Sequence, residues 1–257
     1  MEFLYKVVRF LIKCMFCVVS VGPIPSHIAF IMDGNRRFAK QRNMKVGAGH
    51  EAGYFALMSM LIHCSELGVK YVTAYAFSID NFKRRTEEVE CLVDLMTEKF
   101  ESWCREDSIV NMFGIRVHFS GNLQLLSEPL RDAAKKLTAA TVGNSRVFLT
   151  LCVAYTSTNE IVRAVEKSCE EKWAEDQESS VINLSDIEKR MYMVIAPDPD
   201  IIIRTSGENR LSNFLLWQSA GSCLVSTSAM WPEISFWHLI WAVLNFQRYQ
   251  SLLKKKL

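Results

Sequence analysis

The segment Asp-Gly-Asn-Arg-Arg directly follows an unbroken apolar run from Ile28 to Met32. Such a run is typical of a strand buried on both faces, as in a parallel sheet. In open α/β sheets, ligands bind beyond the carboxyl ends of the strands. Gly34 lets backbone N–H groups approach an anion, and Arg36 and Arg37 can grip phosphate oxygens through paired donors. Asp33 would then serve a cation, because a bare carboxylate repels phosphate.

A basic turn after a core strand explains the same residues, because Asp-Gly pairs are common in turns. Two further polar clusters favour a ligand site. Residues 78–84 follow a predicted strand at 69–77, and residues 204–212 follow another at 200–203. Because parallel strands bring their carboxyl ends to one edge of a sheet, we expect the three clusters to meet there.

Arginines outnumber carboxylates in these clusters, which favours polyanionic ligands and suits two phosphorylated ones. The nucleotide-binding motifs GxxxxGK[ST] and GxGxxG are both absent. His50 follows the first cluster and is either a donor to phosphate or a structural histidine. The arginines are Arg36, Arg37, Arg84, Arg204 and Arg210.

Apolar residues recur at helical and strand spacing in alternation along the chain, which predicts an α/β fold with a mostly parallel sheet. An acidic stretch without periodicity, 170–180, predicts a surface loop. Further strands are predicted at 115–120, 146–154 and 224–226, and helices at 51–67, 87–103, 126–140, 158–169, 187–193, 214–218 and 235–253.

The composition excludes several classes of protein. The chain has 257 residues and a net charge of only +2, so no general basic field argues for nucleic-acid binding. Eight scattered cysteines are typical of a reduced intracellular chain. No apolar run is long enough to span a membrane.

The N-terminal segment combines apolar residues with Lys6, Arg9 and Lys13, which lie on one face of a helix. This pattern predicts a helix that lies in a membrane interface or packs on a partner. A signal peptide is the alternative, but Lys13 interrupts the apolar region that a signal peptide requires.

The motifs together resemble the cis-prenyltransferase family of undecaprenyl diphosphate synthases, most closely its eukaryotic dehydrodolichyl diphosphate and rubber-forming members. That resemblance implies an α/β fold with a central, mostly parallel six-stranded sheet, surrounding helices and an elongated apolar tunnel. Together with the amphipathic N-terminal segment, it predicts two regions, a membrane-associating helix at 1–24 and a cis-prenyltransferase catalytic domain at 25–257. The matching blocks are HIAFIMDGNRRFAK, GHEAG, YAFSIDNFKR followed by Glu88-Val89, RTSGENRLSNFLLWQ, and Trp231-Pro232-Glu233.

Members of the family condense isopentenyl diphosphate with an allylic diphosphate such as farnesyl diphosphate, with Mg²⁺, to form long cis-polyprenyl diphosphates for dolichol or rubber-type products. The resemblance assigns a role to each matching residue. These are Asp33 as the magnesium-associated catalytic aspartate; Gly34, Asn35, Arg36, Arg37, His50 and Arg84 for the allylic diphosphate; Arg204, Arg210 and Ser212 for isopentenyl diphosphate; Phe77, Ser78 and Asn81 where the new bond forms; and Glu88 to order the loop around Arg84.

Val46, with Lys45 adjacent, replaces an arginine that is common in the family four residues before His50, and the chain departs from single-chain bacterial members at three further places. Asn209 replaces a histidine, and Cys223 lies near the position of a glutamate. After Trp241, the sequence Arg248-Tyr249-Gln250 stands in place of an Arg-x-Gly motif that completes the isopentenyl site. The resemblance therefore implies a heteromer with a catalytically silent subunit resembling the Nogo-B receptor, at the cytosolic face of the endoplasmic reticulum membrane.

Two alternatives to a catalytic subunit remain open from the sequence. A non-catalytic scaffold of the same fold should lack Asp33 or the arginines of the RTSGE segment, but all of them are present. A phosphate-binding hydrolase should have a base that activates water, and the sequence identifies none.

Overall fold

The computed structural model describes residues 2–45, 47–174, 181–193 and 195–254. Its strands form a six-stranded sheet in the order β3-β4-β2-β1-β5-β6. The β1–β5, β3–β4 and β5–β6 pairings are parallel, so the mostly parallel sheet expected from the sequence is confirmed. The strands are β1 His27–Ile31, β2 Tyr71–Ser78, β3 Ile115–Ser120, β4 Val147–Tyr155, β5 Ile201–Arg204 and β6 Cys223–Ser226.

Helices separate most of these strands along the chain, as the apolar periodicity indicated, but none lies between β5 and β6. The helix expected at 187–193 lies instead at 184–188, and residues 170–174 belong to a helix rather than to a loop. Residues 175–180 of the expected loop lie outside the described residues. The helices are α1 Glu2–Val19, α2 Asn35–Gln41, α3 Ala48–Leu67, α4 Thr86–Trp103, α5 Ile109–Met112, α6 Glu128–Ala140, α7 Ser157–Ala174, α8 Leu184–Glu188 and α9 Phe236–Lys254.

The chain divides into two compact units. Unit 1 comprises Met1–Val72, Pro199–Glu208 and Gly221–Leu257, and unit 2 comprises Thr73–Asp198 and Asn209–Ala220. In unit 1, β5 pairs with β1 on one side and with β6 on the other, and Ile31 lies opposite Arg204 at the carboxyl ends. All five residues of β1 are buried, as the apolar run predicted.

Helix α1 packs against α9 within unit 1. The rings of Phe16 and Phe236 meet edge to face with centroids 5.2 Å apart, and Gln247 Nε2 donates to the Val19 carbonyl at 2.8 Å. No helix in the described part of the chain is both long and apolar enough to cross a membrane. The division into a membrane-associating helix and a catalytic domain stays a prediction, as does the apolar tunnel.

The core of unit 2 contains a buried carboxylate, Glu160 of α7, which is 1% exposed. It accepts hydrogen bonds from the Tyr155 hydroxyl at 2.6 Å, from Gln218 Nε2 at 3.1 Å, and from the backbone N–H groups of Tyr192 and Met193 at 2.8 and 3.1 Å. Burial, together with the neighbouring Glu160, raises the pKa of Tyr155, so its phenol keeps its proton and donates. Glu160 therefore joins three separate segments of unit 2.

Glu160→Ala should lower the free energy of unfolding by about 3 kcal/mol or more, because buried donors would lose their acceptor at about 1–3 kcal/mol each. Urea denaturation followed by circular dichroism measures this loss. Glu166→Ala is the matched control, because Glu166 lies on the exposed face of the same helix and should change stability by less than about 0.5 kcal/mol. Equal stability of the two variants would contradict the proposed anchoring role of Glu160.

Candidate active site

The chain turns sharply where β1 ends, and Gly34 makes that turn possible. Its backbone has φ +111°, a left-handed conformation that L side chains rarely adopt. A Cβ at this position would lie 2.2 Å from Ser206 Oγ and 2.9 Å from Met230 Cβ. Glycine is therefore required for conformation and for space, and it lets the 206 and 230 segments approach the end of β1.

The carboxylate of Asp33 lies between two guanidinium groups at this turn. Its Oδ2 accepts a hydrogen bond from Arg204 Nη2 at 2.8 Å, and its Oδ1 lies 3.4 Å from Arg37 Nη2. Partial burial alone would raise the pKa of Asp33, but the hydrogen bond and charge of Arg204, with the charge of Arg37, outweigh it and lower that pKa. Asp33 is therefore ionised at neutral pH.

The backbone carbonyl of Asp33 is held as firmly as its side chain. It accepts hydrogen bonds from the hydroxyls of Thr205 and Ser206 at 2.6 and 2.9 Å and from the Trp231 N–H at 2.9 Å. Sequence reasoning missed these contacts. Two adjacent hydroxyl residues directly after Arg204 were the only signal for them in the sequence. They fix the backbone that carries the Asp33 carboxylate.

Arg204 is 6% exposed, whereas Arg36 and Arg37 lie at the surface. The Arg37 side chain is 49% exposed and its Nη1 lies 3.7 Å from Glu208 Oε1, beyond ordinary hydrogen-bond length. An exposed guanidinium whose contacts to Asp33 and Glu208 measure 3.4 and 3.7 Å can turn toward an incoming anion with little loss. Arg204 is fixed in position, and Arg37 is free to adjust.

Asn35 directly follows this turn, and His50 lies on α3, the helix that packs against α2. Asn35 begins α2, and its Nδ2 donates to the Met32 carbonyl at 3.4 Å. His50 lies half-buried in the first turn of α3. Gly53 of α3 allows the close approach of the two helices, because a Cβ there would lie 2.3 Å from Asn35 Oδ1. Unit 1 thus brings the first predicted cluster and Arg204 together.

The site fits a magnesium ion of the kind that the family implies. Among the described residues, no three His, Cys, Asp or Glu side chains form a cluster that could hold a metal by themselves. Mg²⁺ typically uses one or two carboxylates and completes its shell with water and substrate phosphates. The ionised, partly exposed carboxylate of Asp33 is a ligand of this type.

In unit 2, the second predicted cluster follows β2. Ser78 Oγ accepts a hydrogen bond from the Asp80 N–H at 3.1 Å and so caps a short 3₁₀ helix at 79–83 that contains Asn81. Phe77 is buried against Phe82, with ring centroids 4.9 Å apart. The Ser78 cap and the contact between Phe77 and Phe82 thus hold the 3₁₀ helix against the end of β2.

An ion pair closes this segment. Arg84 Nη1 donates to Glu88 Oε1 at 2.9 Å, and the two side chains are 27% and 13% exposed. The structure therefore brings together the arginine and the carboxylate that the sequence paired. Their roles toward substrate stay predictions.

The third cluster is divided between the two units. Arg204 belongs to unit 1, and Arg210 and Ser212 belong to unit 2, where both are exposed. The helix expected at 214–218 is absent, and this segment forms irregular turns instead. The meeting of all three clusters at a single site stays a prediction.

The chain matches one protein family over most of its length. Residues 31–253 match the family described as putative undecaprenyl diphosphate synthase. The chain is 54% identical to the dehydrodolichyl diphosphate synthase CPT3 of Solanum lycopersicum, over 96% of this chain and 92% of that protein. It is 44% identical to the dehydrodolichyl diphosphate synthase complex subunit DHDDS of Homo sapiens, over 93% of this chain and 73% of that protein.

A solved structure is similar in fold as well as in sequence. The crystal structure of lavandulyl diphosphate synthase from Lavandula x intermedia, in complex with dimethylallyl diphosphate, superposes with a TM-score of 0.80 at 30% identity. The alignment covers 87% of this chain and 95% of that one. The family match, the identity to its relatives and the shared fold show that the chain belongs to the undecaprenyl diphosphate synthase family of prenyltransferases.

Proposed function

We propose that this chain is the catalytic subunit of a cis-prenyltransferase that condenses isopentenyl diphosphate with an allylic diphosphate into a long-chain cis-polyprenyl diphosphate. The observation that carries the proposal is the Asp33 carboxylate, held ionised between Arg204 and Arg37 at the end of β1. Membership of the family supports the reaction class. A relative whose structure holds dimethylallyl diphosphate supports an allylic diphosphate as substrate.

The reaction transfers an allyl group and releases diphosphate. The allylic C–O bond breaks, its electron pair leaves with the diphosphate, and the double bond of isopentenyl diphosphate attacks the allylic carbon. The attack leaves a cation on the substituted carbon of the isopentenyl unit, and the released diphosphate takes a proton from the neighbouring carbon to form the new cis double bond. Negative charge grows on the leaving oxygen during bond cleavage, so fixed cations there lower the barrier.

Arg36 and Arg37 are exposed and suited to bind the allylic diphosphate. The other residues of the proposed allylic site are Gly34, Asn35, His50 and Arg84. Asp33 would hold Mg²⁺, which supplies Lewis-acid stabilisation of the diphosphate when bound. Phe77, Ser78 and Asn81 would adjoin the reacting carbons. Arg204, Arg210 and Ser212 would bind isopentenyl diphosphate.

The product is a growing hydrocarbon, and it requires an apolar channel. Burying apolar surface stabilises by roughly 25 cal/mol per Å², so each added isoprene unit favours a channel over water. A dry channel also protects the carbocation from capture by water. The elongated apolar tunnel is therefore part of the proposed function.

The proposal includes a second subunit. Gln250 stands where the glycine of the Arg-x-Gly motif is expected, so the segment Arg248-Tyr249-Gln250 does not provide that motif. A human relative is named as a complex subunit, which supports a heteromer. The partner would be a Nogo-B-receptor-like accessory subunit that contributes the missing motif.

Helix α1 supports a peripheral location at a membrane, which we assign to the cytosolic face of the endoplasmic reticulum. Phe16 and Val19 are buried on one side of the helix. The opposite side exposes apolar residues, with Phe10 65%, Leu11 56% and Val18 67% exposed. A helix that is apolar toward solvent, with Lys13 at its flank, suits the interface of an anionic bilayer.

Turnover by the purified chain, alone and with its candidate partner, tests the catalytic role. With labelled isopentenyl diphosphate, farnesyl diphosphate and Mg²⁺, the heteromer should make long-chain lipid extractable into organic solvent. Asp33→Asn keeps an oxygen that can accept from Arg204 but removes the charge. It should lower kcat on the order of a thousandfold, about 4 kcal/mol. Turnover within a few-fold of wild type would remove Asp33 from the mechanism.

The pH dependence of stability provides a readout of Asp33 that is independent of activity. The pKa of Asp33 in the folded state is lowered from 3.8. Its contribution to the free energy of unfolding is therefore complete above about pH 4 and is lost as the pH falls through the folded-state pKa. The difference in unfolding free energy between wild type and Asp33→Asn should therefore be constant near neutral pH and shrink in acid. Urea denaturation at several pH values measures it. A difference that grows in acid would contradict the ion pair.

Membrane binding through α1 is tested by charge insertion on its outward side. Phe10→Asp combined with Leu11→Asp should weaken binding to phosphatidylcholine–phosphatidylserine vesicles by at least about tenfold, because two apolar side chains no longer enter the interface. Co-sedimentation measures the bound fraction. Val162→Asp, at an apolar position 50% exposed on α7, is the control. Equal binding of both variants would exclude α1 as the contact.

A further inference from the structure

The turn that carries Ser212 adopts a backbone conformation that its residues disfavour. Ser212, Asn213 and Leu215 have φ angles of +50°, +58° and +47°. Residues with a Cβ rarely occupy this left-handed region, and such strain persists only where surrounding contacts determine it. These residues, with Arg210, belong to the proposed isopentenyl diphosphate site.

The N-terminal end of α7 holds the turn through hydrogen bonds. The Asn213 carbonyl accepts from the Ser157 N–H at 2.8 Å, and Asn213 Oδ1 accepts from the N–H and hydroxyl of Thr158 at 3.0 and 3.1 Å. The Leu216 N–H donates to Ser157 Oγ at 2.9 Å. These bonds satisfy donors at the start of α7 and at the same time fix the backbone on the C-terminal side of Ser212.

Tyr75 of β2 also holds the turn. Its hydroxyl lies 3.2 Å from the Tyr155 carbonyl and 3.4 Å from the Ser212 carbonyl, so its single proton is shared between the end of β4 and the turn. Its ring stacks on Phe214, with centroids 4.5 Å apart and planes 13° from parallel. Tyr75 thus fixes the turn relative to the rigid sheet through both its ring and its hydroxyl.

We propose that Tyr75 is a positioning residue for isopentenyl diphosphate. By tying the Ser212 carbonyl to the end of β4, its hydroxyl sets the direction of the exposed Ser212 and Arg210 side chains before substrate arrives. The proposal rests on the proposed function, because it takes those two residues as the diphosphate ligands. Pre-organised donors bind an anion without first ordering their own backbone.

Tyr75→Phe isolates the hydroxyl, because phenylalanine retains the stack on Phe214. With the full chain and its partner, the variant should raise KM for isopentenyl diphosphate about tenfold, with kcat and KM for farnesyl diphosphate within about twofold of wild type. A purely structural defect would lower the fraction of active enzyme and change kcat instead. Calorimetric binding of isopentenyl diphosphate should weaken by the same factor as KM rises.

Tyr192→Phe is the matched control. It also removes one phenol hydrogen bond in unit 2, but its hydroxyl donates to Asn159 Oδ1 at 3.2 Å rather than to the turn. It should leave KM for isopentenyl diphosphate within about twofold of wild type.

Each remaining outcome bears on a different claim. An unchanged KM for isopentenyl diphosphate in Tyr75→Phe, or an equal rise for both substrates, would overturn the positioning role while leaving the prenyltransferase intact. Failure of the wild-type complex to bind isopentenyl diphosphate and form polyprenyl product would refute the proposed function, and the positioning role with it.

Discussion

The structure of unit 1 depends on one ion pair between neighbouring strand ends. Arg204 is almost fully buried at the end of β5, and Asp33, two residues after the end of β1, lies beside it. A buried guanidinium is strongly destabilising without a counter-charge, so the two positions are tied to one another. The hydroxyls of Thr205 and Ser206 then fix the Asp33 backbone, which makes the placement of this carboxylate a property of the sheet itself.

Fixed and adjustable cations have different uses in a reaction that expels a diphosphate. Arg204 cannot move far from Asp33, whereas the exposed Arg37 has long contacts that an anion can replace. A rigid group supplies charge stabilisation without reorganisation, and an adjustable one can follow the ligand as it binds and leaves. In unit 2, the turn at 212–215 likewise places the exposed Ser212 on a rigid support, because Tyr75 and the start of α7 hold its backbone.

The order of strands and helices could be predicted from the sequence because nearly every element shows an apolar periodicity typical of its type. The strand at 115–120 agrees residue for residue, and the others differ by one or two positions at their ends. The prediction was wrong at 214–218. Phe214 and Leu215 are buried as a helix pattern suggests, but hydrogen bonds to α7 and the stack on Tyr75 hold them in turns. Tertiary contacts there override local preference.

By itself, the sequence determined which chemistry is available: an aspartate after a buried strand, arginines after three strands, and a family pattern that unites them. It could not determine which arginine is buried, which carbonyl the hydroxyls of Thr205 and Ser206 hold, or that Tyr75 contacts Ser212. Those facts depend on pairs of residues far apart in the chain. Only folding brings such pairs within hydrogen-bond distance, and apolar periodicity predicts local elements but not which distant residues meet.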